Sequence, residues 1–342
     1  MARIVVAGAG AIGASIAYHL ALAGADDVVL ADRGEVAGGA TAKAMGGVRQ
    51  QFSTVAEVRL AQESIAFFEE LGEPFFRQVG YVFLATSEAG LEDLERRMDV
   101  QRALGVPVER VQVPHGVRGD DVVGATACRR DGVADPPAVT RELVRRAVER
   151  GVELREGTDA RELDRDVLVV AAGPHSGTLA ELPIRPLCRQ LLETSPLKLP
   201  ADLPMIVEAE TGFHFRRRAD SLVLAMADAE PRWGFEETVD ESVYDDRLRR
   251  LEHRYPSAAG VRIARGWAGL YDMTPDAHPI IGWVGDGVYA ACGFSGHGFM
   301  QSPAVGRAVA EELVEGTSGL DLSPYRLERF AAGAVFAEEV VL

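Results

Sequence analysis

The sequence predicts an α/β protein of two domains. One is a parallel-sheet domain, discontinuous along the chain; the other is smaller and built on a mixed, largely antiparallel sheet. Three observations carry this. Strand and helix patterns alternate over most of the length, as in a parallel sheet wrapped by helices. Residues 166–173, Asp-Val-Leu-Val-Val-Ala-Ala-Gly, form a continuous apolar run ending in small residues, the pattern of a strand buried on both faces. From Leu182 to about Arg265 the texture changes: prolines cluster at 183, 186, 196, 200 and 204, and short strand-like pieces alternate with turns. The expected division gives residues 1–72, 136–181 and 266–342 to the first domain, and 73–135 and 182–265 to the second.

The first element says most. Residues 3–7 are an apolar strand, and Gly8, Gly10 and Gly13 follow it in a G-x-G-x-x-G frame. Residues 14–23 read as a helix closed by Gly24. Residues 28–31 are a second apolar strand ending at Asp32, 19 residues after Gly13. This is the full βαβ setting of a dinucleotide fingerprint. Gly8 permits the tight turn, Gly10 lets the backbone approach a pyrophosphate, and Gly13 lets helix and strand pack closely. The helix start, with Ala11 and Ile12, offers N–H groups to phosphates. Asp32, followed by Arg33, suits a ribose diol and argues against a 2′-phosphate.

The remaining elements follow in order. Thr54 and Glu57 make a capping box before a helix over 55–71, and Gly72 stops it. Residues 80–86 are strand-like, and 88–104 form a charged helix ended by Gly105. Asp135-Pro136-Pro137 opens a helix to Arg150, with an N-cap aspartate and first-turn prolines. Residues 152–155 are a short strand. Residues 212–215 and 221–226 are strands of the second domain, and 287–292 return to a buried-strand pattern. Ser302-Pro303 opens a last helix to about Glu315, with Gly316 as its stop.

Composition narrows the function classes. The net charge of −16, from 36 basic and 52 acidic residues, argues against a nucleic-acid or anionic-membrane partner. Residues 4–23 are apolar enough to imitate a membrane span, but glycines and the strand–turn–helix pattern interrupt them, so no span and no cleavable signal is expected. Cys128, Cys188 and Cys292 are widely spaced. They give no zinc pattern and no disulfide framework, which suits the cytoplasm.

Three glycine-rich segments sharpen the reading. Residues 38–49, Gly-Gly-Ala-Thr-Ala-Lys-Ala-Met-Gly-Gly-Val-Arg, suit a loop whose backbone approaches a flat ligand. Residues 266–282 carry Tyr-Asp-Met-Thr-Pro-Asp-Ala-His-Pro-Ile-Ile-Gly from Tyr271. Residues 292–301, Cys-Gly-Phe-Ser-Gly-His-Gly-Phe-Met-Gln, feed a helix, and such a turn aims free N–H groups at one point.

With these motifs in this order, the chain resembles the D-amino-acid oxidase superfamily of FAD proteins over nearly its whole length. Within it, the chain is most similar to the sarcosine oxidase and dimethylglycine dehydrogenase branch. The resemblance implies a Rossmann-like FAD domain and a substrate domain whose sheet faces the flavin. It also implies oxidation of a C–N bond, by hydride transfer from the carbon beside a neutral amine to flavin N5, giving an imine that water hydrolyses. It puts Gly8, Gly10 and Gly13 on the pyrophosphate and Asp32 on the adenosine ribose. Ala40 and Thr41 lie near the pyrophosphate, and Ala44, Met45, Gly46, Gly47, Val48 and Arg49 wrap toward the flavin. Ala160 falls beside the adenine, and Ala172 and Gly173 near the ribityl chain. Gly269 belongs to the flavin-facing segment, and Gly296, His297, Gly298, Phe299 and Met300 hold the pyrimidine edge. Tyr271 matches an aromatic position of the substrate pocket.

Departures from the family pattern also inform. No cysteine or histidine stands at the usual attachment positions, so noncovalent FAD is expected. Tyr271 replaces the carboxylate-clamping arginine of D-amino-acid and glycine oxidases. Met300 and Phe52 replace a lysine and an arginine of monomeric sarcosine oxidases. A substrate carboxylate would then need another cation, with Arg49 or the run Arg216–Arg218 as candidates, although Arg49 could instead pack on the flavin. Leu222-Val223-Leu224 lacks an oxygen-assisting lysine, leaving oxidase and dehydrogenase equally open, with O2 or a protein or quinone as acceptor. His214 and His297 are the nearest acid–base candidates. Residues 159–165 barely span a gap that the family fills with a hairpin. The expected function is oxidation of a small secondary or tertiary amine or an N-alkyl amino acid. The alternative is a flavoprotein subunit, for assembly or electron transfer, that needs a partner, so a hetero-oligomer is possible. A plain NAD dehydrogenase fits the 292–301 segment poorly.

Overall fold

The computed structural model describes residues 2–334, 337–338 and 341–342. Its first sheet has six strands in the order Ile280–Gly285, Val288–Cys292, Val167–Val170, Ile4–Ala7, Val28–Ala31, Glu153–Arg155. All neighbours are parallel except the first pair. The central strands are buried on both faces, which is why their sequences do not alternate. Ile4, Val6, Leu30 and Val169 pack with the helices Ala11–Leu22, Val55–Leu71, Pro136–Val148 and Gly298–Glu315. Val5, Ala7, Val29, Leu168 and Val170 pack under Ala160, Leu163 and Leu179 on the other face.

Two helices begin earlier than the sequence suggested. The first starts at Ala11 rather than 14, because Gly10 is its N-cap and Ala14 N donates to Gly10 O. The last starts at Gly298, five residues before Pro303. Proline in a helix interior frees the carbonyl one turn back. Here that carbonyl belongs to Phe299, and the Ser302 hydroxyl donates to it at 2.9 Å. The helix therefore continues through the proline, and the Gly-His-Gly turn itself becomes the helix start.

The second sheet has nine strands. Its path runs Arg232–Trp233, Arg185–Thr194, Ser221–Ala225, His214–Arg218, Met205–Glu208, Tyr81–Ala85, Gly124–Cys128, Val108–Arg110, and Ile263–Met273 pairs with Arg185–Thr194 off that path. Only Met205–Glu208 and Tyr81–Ala85 are parallel neighbours. The strand Ile263–Met273 crosses the expected border at 266 and stays paired with Arg185–Thr194 to its end, so residues 266–273 lie in this sheet. Phe213, Phe215, Leu222 and Leu224 pack on one face with Leu251 and Tyr255. Directly paired residues share a face. The register therefore puts Arg189 with Gly269, Leu187 with Tyr271, and Leu191 with Trp267 on the other face. His214 with Ala225 and Arg216 with Val223 lie there too. A third, three-stranded sheet joins Gly47–Val48, Gly132–Ala134 and Phe76–Arg77.

Candidate active site

The two glycine segments, from opposite ends of the chain, meet at one cavity of about 750 Å³. Gly8, Gly10, Ala11 and Ile12 line it from the first helix start; Gly296, Gly298 and Phe299 line it from the last. Neither N-cap residue supplies a side-chain cap; Ala11 N of the first helix is taken by Thr41 Oγ1, which leaves the other first-turn amides to be satisfied from the cavity. Asp32, Arg33, Ala40, Thr41, Ala44 and Met45 form part of the wall, as do Ala160, Ala172, Gly173, Gly269 and Tyr271.

Local contacts explain these placements. A Cβ at Gly13 would lie 1.8 Å from the Gly8 carbonyl oxygen, so this position admits only glycine; Gly13 packs helix on turn and does not line the cavity. The Asp32 carboxylate accepts from Ala9 N and Gly34 N, both at 2.7 Å, which fixes the glycine turn against the second strand. Thr41 Oγ1 accepts from Ala11 N at 3.1 Å. The 38–49 loop is pinned from the opposite sheet: Trp267 Nε1 donates to Lys43 O at 3.1 Å, and Arg216 Nε donates to Met45 O. Arg216 thus holds the loop. Arg217 donates to the carbonyls of Ala219 and Pro200, and Arg218 lies 5.8 Å from the Trp267 ring.

Gly46, Gly47, Val48 and Arg49 turn away from the cavity wall into the three-stranded sheet and the buried segment behind it. Arg49 is 1% exposed, donates to Gln51 O, and has Nη2 3.5 Å from His297 Nε2. Burial pulls its guanidinium below the usual arginine range. His297 is the N-cap residue of the last helix, and Met300 belongs to the core beneath it. His214 is buried; its Nδ1–H donates to Gly212 O at 2.7 Å, and burial pushes its pKa down to about 4, so the imidazole is neutral. Tyr271 Oη donates to the carbonyl of Leu342 at 2.8 Å. Burial raises its pKa, so the phenol stays protonated.

Asp272 holds the late glycine turn in place. Its carboxylate accepts from Gly293 N at 2.7 Å, its carbonyl accepts from Ser295 N, and burial lifts its pKa to about 6. A Cβ at Gly296, whose φ is +95°, would fall 2.4 Å from the Tyr271 ring. The turn and the aromatic wall are therefore in direct contact.

Residues 3–312 match the family of FAD dependent oxidoreductases known as DAO. The chain belongs to this family. It is 28% identical to the "FAD-dependent oxidoreductase domain-containing protein 1" of Bos taurus, over 99% of this chain and 87% of that one. It is 24% identical to a sarcosine oxidase subunit beta of an Arthrobacter species, over 98% of this chain and 92% of the relative. Among solved structures, the L-proline dehydrogenase of P. horikoshii superposes with a TM-score of 0.91 at 27% identity, covering 98% of this chain and 99% of that chain.

FAD fits the cavity on the structure's own terms. The volume lies within the roughly 300–1,000 Å³ range of cofactor and ligand sites, and two helix starts whose N-cap residues supply no side-chain cap face it. Among the described residues no helix is long and apolar enough to cross a membrane, and no group of acidic, histidine or cysteine side chains could hold a metal ion. The cavity wall also includes residues that the sequence did not single out, among them Arg189, Leu191, His175, Phe235 and Glu237. His175 and Phe235 stack at 5.0 Å, and Lys43 pairs with Glu237, so two contacts join residues of the cavity wall. Arg189 and Leu191 come from a strand whose partner lies some 80 residues away in sequence. No local periodicity marks them.

Proposed function

We infer that this FAD-dependent oxidoreductase oxidises the C–N bond of a small secondary or tertiary amine or N-alkyl amino acid. The observation that carries the reading is the single cavity joining the dinucleotide turn to the flavin-facing side of the second sheet, where Tyr271 stands against the Gly296 turn. The names of two relatives support the substrate class: sarcosine and L-proline are both secondary amines bearing a carboxylate. FAD, when bound, supplies the acceptor for the hydride, which leaves the carbon beside nitrogen with the electron pair of its C–H bond.

The chain's residues do the rest. Gly8, Gly10, Ala11 and Ile12 hold the pyrophosphate, Asp32 the adenosine ribose, and Gly296, Gly298 and Phe299 the pyrimidine edge. Tyr271 forms a pocket wall. The guanidinium groups of buried Arg49 and half-buried Arg189, near His214 and Tyr271, disfavour a further cation, which keeps a bound amine unprotonated, the form that can release hydride. No strong base is required, in keeping with a neutral His214. FAD is noncovalent in this reading, since the Cys292 thiol at the cavity is buried with its pKa raised. Three buried free thiols suit the cytoplasm. The electron acceptor is O2 or a protein or quinone, and a partner subunit is compatible with the sarcosine oxidase likeness.

The test is anaerobic mixing of the holoprotein with secondary and tertiary amines and N-alkyl amino acids while flavin absorbance is followed. Bleaching, with imine or carbonyl product, supports the reading. A flavin that no member of this panel reduces overturns it. Admission of air then separates oxidase from dehydrogenase by the rate of reoxidation.

A further inference from the structure

We propose that Arg189 anchors the carboxylate of the substrate, so that the substrates are amino acids with a substituted nitrogen rather than simple amines. The proposal rests on the amine-oxidation reading and narrows it. Arg189 lies in the middle of Arg185–Thr194, paired directly with Gly269, on the face of the second sheet that carries Tyr271 and Leu191. It lines the cavity, and its guanidinium carbon is 5.7 Å from the Tyr271 ring centroid. Tyr271 in turn touches the Gly296 turn. The sequence of contacts from late glycine turn to phenol to guanidinium places this cation at the flavin-facing end of the cavity, away from the adenosine half marked by Asp32.

The second observation is that this cation has no counter-charge. Among the described residues the Arg189 side chain makes no hydrogen bond and no ion pair, and its Nε is shut off from solvent without an acceptor. Its neighbours are already committed. Lys43 pairs with Glu237, Arg216 holds Met45 O, and Arg49 holds Gln51 O behind the wall. Asp272, an acid that also lines the cavity, is spent on Gly293 N. Leaving a half-buried guanidinium without a partner is unfavourable unless a ligand supplies one. A carboxylate is the complementary group, since its two oxygens match the guanidinium fork. With the carboxylate on Arg189 and the Tyr271 ring beside it, the amine end of a small amino acid is directed along the sheet face.

The experiment uses the FAD-loaded protein and two readouts. In the first, benzoate and neutral benzamide are titrated while the visible flavin spectrum is watched. Benzoate is expected to bind, R189M to weaken it at least tenfold and R189K less, and benzamide to respond to neither change. In the second, flavin reduction is compared for sarcosine against dimethylamine and for proline against pyrrolidine. The acids are expected to reduce the flavin at least a hundredfold faster than the amines, and R189M to abolish that preference. Equal benzoate binding by wild type and R189M, or equal reduction by acids and amines, overturns the proposal. If no compound reduces the flavin yet benzoate binding depends on Arg189, the carboxylate site stands and the amine-oxidation reading falls. Melting temperature and flavin content check each variant; if R189M loses FAD, R189K carries the same comparison.

Discussion

The Arg49 guanidinium carbon lies 4.0 Å from the centroid of the Phe52 ring, three residues further along the same buried segment. The same guanidinium donates to Gln51 O. Arg49 therefore works as a backbone brace, and its charge is used inside the segment that follows the cavity-lining loop. Lysine keeps the charge but loses the planar fork and the stacking. R49K is expected to lower stability by about 1–3 kcal/mol and to reduce FAD occupancy. A thermal melt and the flavin-to-protein ratio check this; an unchanged melt with altered substrate affinity would instead assign Arg49 to the substrate.

Gly296 carries a sharper prediction. Its φ of +95° already disfavours other residues, and an added Cβ would meet the Tyr271 ring at 2.4 Å. G296A is expected to cost about 2 kcal/mol or more and to displace the turn proposed to receive the flavin edge, so the purified protein should be pale. Y271F removes one hydrogen bond, to Leu342 O, and should cost no more than about 1.5 kcal/mol while keeping its flavin. The contrast between the two, read from absorbance at equal protein concentration, separates packing from hydrogen bonding.

The glycine positions were legible in the sequence because close backbone approach leaves no alternative residue. Gly13 against the Gly8 carbonyl and Gly296 against Tyr271 are both contacts that a single methyl would break. The apolar runs 28–31 and 166–173 were legible for a related reason, since a strand buried on both faces has no room for polar residues. The start of the last helix was misplaced because Pro303 imitates a first-turn proline; only the Ser302 hydroxyl on Phe299 O reveals that the helix runs through it. Arg189 was invisible. Leu187, Cys188, Arg189, Gln190 and Leu191 neither alternate nor repeat at helical spacing, because both faces of that strand are covered. Its function depends on pairing with Gly269, a non-local contact.

Asp32 ties the first glycine turn to the second strand through two charged hydrogen bonds of 2.7 Å. D32A leaves Ala9 N and Gly34 N without their acceptor and removes the acceptor for a ribose diol. FAD affinity is expected to fall by about tenfold to a hundredfold, the equivalent of ~1.5–3 kcal/mol. Titration of the apoprotein with FAD, followed by flavin fluorescence, measures it directly; an unaltered Kd would remove Asp32 from the site.

Acid precipitation addresses attachment. Cys128, Cys188 and Cys292 are buried, and burial holds the Cys292 thiol well above its ordinary range. A thiol kept protonated is a poor nucleophile. All yellow colour is expected in the supernatant and none in the pellet.

Glu57 makes stability fall with rising pH. Its carboxyl is fully buried, accepts from Gln301 Nε2, and stands 3.9 Å from His278 Nε2. Burial, reinforced by Glu338 and opposed by the hydrogen bond from Gln301 and by the nearby Tyr325 and Arg49, raises its pKa from 4.5 to about 8. The folded state therefore holds a proton that the unfolded chain releases above about 4.5. The associated stabilisation is complete below that pH and is lost progressively as pH rises through 8. His278 acts in the opposite window: its lowered pKa keeps it neutral and weakens the fold only as pH falls below its ordinary range. E57Q retains an acceptor for Gln301 without a titrating proton. It should match wild type near pH 5 and exceed it at pH 9 by on the order of 2 kcal/mol. Urea denaturation at pH 5, 7 and 9 supplies the measurement, and parallel pH profiles for the two proteins would show that Glu57 is ionised in the folded state.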